Sequence, residues 1–252
     1  MKIYFDGRTD GLGNRIIEII FLEYVASMKN ISINYLWNNH PRRLDRSYPV
    51  MIKSKNVNII NNLSKKGNFN DHFQFRELFS SMDQTDWVKY AKFIQPAFSI
   101  PSKKEKYTSI HLRGGDRILN LDKYFIKKYL AVEKNHYSIT NFEFNRIKKK
   151  SLKYINKLKP ENIFICTDIE DEKIVYLNKL NFKYNLKNLG FDEKIPAVYT
   201  DFFNLAFSRE IIMVSKYSTF ALMASLVGQT KLMVCDGIEI NKNYSAYVER
   251  YN

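Results

Sequence analysis

The sequence predicts an α/β protein made of two halves, each a parallel sheet with helices packed on it. Three observations predict this. The chain opens on a β–loop–α–β run, its second half alternates short β-rich runs with helical ones, and three polar motifs fall at the ends of predicted strands.

In the first half, residues 2–5 form a short β-rich run, and residues 7–14 follow, rich in Gly, Asp and Asn. Residues 15–29 read as a helix with a wide apolar face, and residues 31–37 as a second strand. The stretch 38–49 is polar, carries Pro41 and Pro49, and reads as loop. Residues 57–60 suit a strand, and 87–93 suit either a strand or a helical turn. Pro96, Pro101 and the lysines after them mark 96–106 as a linker, which divides the chain into domains 1–105 and 106–252.

The second half is more regular. Residues 107–112 read as a strand and 141–158 as a basic amphipathic helix, with Phe144, Ile147, Ile155 and Leu158 near one face. Residues 162–166 suit a buried strand ending at Thr167-Asp168. Helices are expected over 174–180, 202–207 and 218–227, and strands over 210–214 and 231–235. Ligands of such sheets bind beyond the carboxyl ends of the strands, where Arg113, Asp168 and Ser218 would converge.

Bulk properties narrow the function classes. The 252 residues are 45% hydrophobic and 15% aromatic, enough for packed cores and against long disorder. Lys and Arg number 40 against 26 Asp and Glu, and the net charge of +14 points to acidic partners. Cys166 and Cys235 lie far apart with no CxxC, so neither a zinc site nor a disulfide framework is expected, and a reducing, cytoplasmic compartment fits. The opening residues lack a signal-peptide pattern. The apolar run 16–26 is broken by Glu18 and Glu23 and is too short to span a bilayer. The basic helix (Arg146, Lys148, Lys149, Lys150, Lys153, Lys157) reads as a solvated face; as a functional reading it would suit the inner face of an anionic membrane. His40, His72 and His136 are isolated and carry no role.

Four motifs carry chemistry. Asp10-Gly11-Leu12-Gly13-Asn14-Arg15 joins a strand to a helix, where glycines let the backbone approach a ligand and the helix amino end offers N–H groups to an anion. It is neither the dinucleotide fingerprint nor a Walker A loop, because Ile16 fills the third glycine position and no acidic residue closes the second strand. In His111-Leu112-Arg113-Gly114-Gly115-Asp116, alternation buries Ile110 and Leu112 and turns Ser109, His111 and Arg113 to the other face. An arginine fork at a strand end suits a diphosphate; the competing reading pairs Arg113 with Asp116. Asp168-Ile169-Glu170 imitates a metal-binding spacing but reads as a helix start, so no metal is expected. Ser215 to Phe220 precedes a helix and would make a second anion site, or simply a cap.

Taken in order, Gly-Leu-Gly-Asn, His-Leu-Arg-Gly-Gly-Asp, Phe-Ile-Cys-Thr-Asp, Thr200-Asp201-Phe202-Phe203-Asn204-Leu205 and Ser218-Thr219-Phe220 resemble the GDP-fucose-dependent fucosyltransferase superfamily. The matching motifs lie at the start of the chain and over most of 107–228. The resemblance implies a GT-B type fold, two Rossmann-like domains facing across a cleft. The implied reaction is an inverting, metal-independent transfer of fucose from GDP-fucose to a surface or lipid-linked glycan, with no cofactor. Carried over, Arg113 holds the β-phosphate, and His111 and Asp201 contact guanine and its surroundings. Ser218, Thr219 and Phe220 touch phosphate or sugar, Asn14 reaches the diphosphate from the other domain beside Gly11 and Gly13, and Asp168 shapes the pocket. Asp10 is the candidate base. Gly114 stands where many members carry a second arginine, which leaves sugar and linkage open. The same motifs would serve GDP-mannose or a GDP-heptose. A basic nucleic-acid or anionic-surface binder would need clustered basic and aromatic residues in a recognisable module, and the sequence has none, so no nucleic-acid partner is expected.

Overall fold

The structure, a computed structural model, describes residues 3–39, 46–61, 81–100, 106–113, 118–119, 139–215 and 218–234. The expectations placed on Gly114, Gly115, Asp116, Cys235, the three isolated histidines and linker residues 101–105 lie outside the described residues.

The first half opens with β1 (Ile3–Asp6), α1 (Leu12–Lys29), β2 (Ile33–Trp37), β3 (Ile52–Lys53) and β4 (Val57–Asn61). β1, β2 and β4 are parallel neighbours in that order. α1 begins three residues before the expected start, because Gly11 is its N-cap and Gly13 lies inside it. It ends at Asn30, whose left-handed backbone (φ 50) closes the last turn. The segment that suits either strand or helical turn belongs to α2 (Gln84–Ala91). A capping box in which Asp83 and Asp86 satisfy each other's backbone N–H decides for helix. β5 (Gln95–Pro96) then pairs antiparallel with β3.

The second half runs β6 (Thr108–Leu112), β7 (Ile118–Leu119), β8 (Ile139–Thr140), α3 (Asn141–Leu158), β9 (Asn162–Thr167), α4 (Glu170–Leu177), β10 (Asn185–Leu186), α5 (Ala197–Ala206), β11 (Glu210–Val214), α6 (Thr219–Gly228) and β12 (Lys231–Val234). β7 and β8 form a small parallel pair. The main sheet is parallel throughout, in the order β10–β9–β6–β11–β12. The chain enters at the middle, builds outward through β9 and β10, then returns to add β11 and β12 on the other side. The direction of winding therefore reverses between β6 and β11, and a crevice opens at such a switch point beyond the strand ends.

Alternation along β6 behaves as expected. Ile110 and Leu112 join Ile163, Ile165, Ile212 and Val214 against Phe144 and Ile155 of α3 and Tyr176 of α4. Ser109 and His111 point the other way, yet they too are buried, because α5 and α6 cover that face. There Phe164, Cys166, Ile211 and Met213 meet Phe202, Phe203, Leu222 and Met223, and this core continues through Ile16 and Ile20 of α1 to Phe5 and Tyr35 of the first sheet. The halves are thus joined by packed helices rather than facing only across a gap. Leu158, expected on the buried face of α3, is over a third exposed because the helix ends beside it at left-handed Lys159. Among the described residues no helix is long and apolar enough to cross a membrane.

Candidate functional site

Three parallel strands of the second half end in polar residues on one edge. β6 ends at Leu112 and hands over to Arg113, β9 to Asp168, and β11 to Ser215. Arg113 Nε lies 3.9 Å from Asp168 Oδ2, and both side chains are partly exposed. Of the three motifs expected to converge, those of Arg113 and Asp168 meet directly at these strand ends. Ser215 is buried, and among the described residues its hydroxyl has no hydrogen-bond partner. A buried hydroxyl left this way costs free energy unless something else meets it.

Behind this edge stands the amino end of α6. Ser218 caps it, accepting from the N–H of Ala221 at 3.3 Å. The same hydroxyl is 2.8 Å from His111 Nε2. The imidazole stacks on Phe220 at 5.8 Å between centroids, and Phe220 stands edge-on to Phe202 at 5.4 Å. His111 is only 3% exposed. It therefore sits behind Ser218 and Phe220, with its ring nearly closed off from solvent. Thr219, in the first turn, is buried as well.

Asp201 lies on α5 and accepts a hydrogen bond from the Cys166 thiol. Burial raises its carboxyl to about 6, against the lowering effects of Cys166 and Lys173. Burial also pushes the Cys166 thiol well up, so the thiol stays protonated and unreactive.

The first half presents its own strand end. Arg8 donates to Asp10 Oδ2 from Nε at 3.1 Å and Nη2 at 2.6 Å, and Asn14 Nδ2 donates to the same oxygen at 2.9 Å. Burial alone would raise the Asp10 carboxyl, but Arg8, Asn14 and Arg46 together hold it below its ordinary value. Arg15 is fully buried, donating to the carbonyls of Asp10 and Arg46 at 2.9 Å each, with its guanidinium 4.4 Å from the Trp37 ring centroid and 4.9 Å from that of Tyr48. Sequence reasoning gives Arg15 no role. The available signal is an arginine in the first turn of an otherwise apolar helix.

Gly13 joins the two halves. A Cβ there would lie 2.7 Å from the backbone nitrogen of Phe220 and 2.8 Å from the carbonyl carbon of Thr219. The smallness of Gly13 lets the amino ends of α1 and α6 come into contact. At Gly11 a Cβ would meet nothing within 4 Å, so that position is open. The first turns of α1 and α6 contain no acidic residue. Two positive helix ends therefore abut with no carboxylate in their own first turns to neutralise them, an arrangement suited to an anion.

No protein-family model matches the chain, and no curated protein sequence matches it. Solved structures do. A structure of POFUT1 in complex with GDP aligns with a TM-score of 0.54 at 10% identity, over 92% of this chain and 98% of that one. The fucosyltransferase NodZ from Bradyrhizobium aligns at 0.53 and 14% identity, over 90% and 92%. POFUT1 in complex with GDP-fucose aligns at 0.51 and 10% identity, over 91% and 95%. The chain shares their fold, the GT-B type that its motifs imply.

Proposed function

We propose that the chain is an inverting glycosyltransferase that moves fucose from GDP-fucose to a glycan acceptor without a metal ion. The observation that carries this reading is the meeting of the α1 and α6 amino ends, at Gly13 and Phe220, beside the switch point where Arg113 leaves β6. Two helix ends and a guanidinium form an anion cradle of the kind a sugar diphosphate needs. The shared fold with structures that hold GDP-fucose or GDP adds support.

In this reading the bond from the anomeric carbon to the diphosphate breaks, and its electron pair stays on the departing phosphate oxygen. Arg113, the N–H groups at the start of α6 and the Ser215 hydroxyl stabilise that growing charge, and Asn14 reaches it from the other half. Because these groups are fixed before the reaction, they need no reorganisation as charge develops. The acceptor hydroxyl attacks from the opposite face and gives its proton to Asp10, whose carboxylate is held ionised and 28% exposed. Asp168 orients Arg113, and Asp201 faces the nucleoside. The net charge of +14 draws the anionic donor in.

The test is thermal unfolding with GDP, GDP-fucose, GDP-mannose, a GDP-heptose and UDP-glucose, each with a chelator present. A guanine nucleotide at a hundred times its Kd adds about 2.7 kcal/mol, or roughly 5–10 °C in a chain of this size. The reading predicts that shift for the guanine donors, and release of fucose from GDP-fucose when a glycan is added. A shift with RNA and none with GDP overturns it.

A further inference from the structure

Glu18 is a carboxylate that the reaction above does not use. It sits on α1 one turn beyond Asn14 and is 5% exposed. Its Oε2 accepts the backbone N–H of Arg8 at 3.0 Å and the hydroxyl of Tyr35 at 2.7 Å. The turn it holds is built tightly. A Cβ at Gly7 would lie 2.3 Å from the Tyr35 ring, so only glycine lets the backbone rest on that ring. Asn38 pins the same turn from the end of β2, donating to Asp6 Oδ1 at 2.6 Å and to the Gly7 carbonyl at 2.7 Å. From this floor the Arg8 side chain leaves the core and grips Asp10.

We propose that Glu18 is a positioning residue of the transfer site: through the N–H of Arg8 it fixes the turn that presents Arg8, Asp10 and Asn14. The inference rests on the transfer reading. Burial raises the Glu18 carboxyl to about 7, with Asp10 adding to the rise and Tyr35 and Arg8 opposing it. A carboxyl raised in this way binds its proton more tightly folded than unfolded. The stability it contributes is whole below its ordinary value of 4.5 and is lost as pH rises through about 7. Above that pH the ionised group weakens the fold, while its two charge-assisted hydrogen bonds hold the turn more firmly.

The experiment compares the wild type with Glu18→Gln, which keeps size and one acceptor oxygen, and with Tyr35→Phe, which keeps the ring and removes one donor. Melting temperature is followed from pH 5 to pH 8.5, with GDP-fucose turnover measured alongside. Glu18→Gln is expected to melt with the wild type at pH 5 and above it at pH 8. Its kcat should fall roughly tenfold to a hundredfold, the scale of a small displacement of reacting groups, with KM for donor little changed. Tyr35→Phe should lower kcat in the same direction by less. Turnover at the wild-type rate in Glu18→Gln overturns the positioning role. A GDP shift in both proteins combined with unchanged turnover defeats that role alone. A wild type that responds to no guanine nucleotide defeats the donor reading and the role built on it.

Discussion

Both halves end a parallel strand against the amino end of a helix, but they furnish that place differently. Beyond β1 stand proton acceptors: the Asp10 carboxylate held by Arg8 and Asn14, with Glu18 buried beneath it. Beyond β6 and β11 stand donors: Arg113, the Ser215 hydroxyl and the N–H groups of the first turn of α6. Asp168 and Asp201 on that side are committed to Arg113 and to Cys166. Hydrogen-bond donors suit a leaving diphosphate, and a carboxylate suits the removal of a hydroxyl proton. On the proposed reading, this difference would divide the labour of one inverting transfer between the two halves, whose contact runs through Gly13.

The largest expected effects test that division directly. Arg113→Ala should cut both hydrolysis and transfer by on the order of a hundredfold or more, because it removes a donor from the departing charge. Its fold should survive: Arg113 is partly exposed, and its 3.9 Å contact with Asp168 is of the kind that contributes less than about 1 kcal/mol. Asp10→Asn should cut transfer by about a hundredfold while GDP still raises the melting temperature normally. Steady-state rates and thermal shifts measured on both variants decide between the outcomes. If Asp10→Asn loses GDP binding, or Arg113→Ala keeps its rate, the halves are not divided in this way.

Much of the division is legible in the amino-acid sequence itself. Strand ends at Arg113, Asp168 and Ser215 follow from β-rich runs bounded by polar residues. The expected and actual limits of α3 coincide because a clear amphipathic period runs between Asn141 and Leu158. The start of α1 is harder to read because two glycines resemble a loop, whereas Gly13 is helical for a reason that lies on α6, about two hundred residues away in sequence. Alternation gives the face of β6 on which His111 lies but not what covers that face, so its burial is not legible. Glu18 carries a visible signal, a carboxylate inside an apolar helical run, but that pattern argues only against a membrane span. Its partners are the Arg8 backbone N–H, which no side-chain pattern reveals, and the hydroxyl of Tyr35 on another element.

A second, smaller effect bears on the junction between the halves. Gly13→Ala sets a methyl group against backbone atoms of Thr219 and Phe220 that cannot turn aside. Overpacking of this kind costs roughly 1–3 kcal/mol, a fall of roughly 2–12 °C in melting temperature. Gly11→Ala is the control, since its added Cβ meets nothing and its φ of −63° suits any residue. That variant should lose only what a poorer N-cap costs, up to about 1 kcal/mol or roughly 2–4 °C. A Gly13→Ala protein as stable as Gly11→Ala would mean that the junction gives way, and that the two strand ends are not held at a fixed distance.

The smallest effect separates cap from ligand on the donor side. Ser218 serves the backbone of α6 and the ring of His111 with one hydroxyl. Ser218→Ala should cost about 1 kcal/mol through the lost cap, seen as a fall of roughly 2–4 °C. Ser218→Thr keeps the hydroxyl and should restore most of that loss. If the hydroxyl is fully engaged by Ala221 and His111, GDP affinity should change little once the helix end is restored. A Ser218→Ala protein of normal stability that no longer binds GDP would reverse this assignment. The hydroxyl would then belong to the diphosphate, and His111 would be the group that aims it.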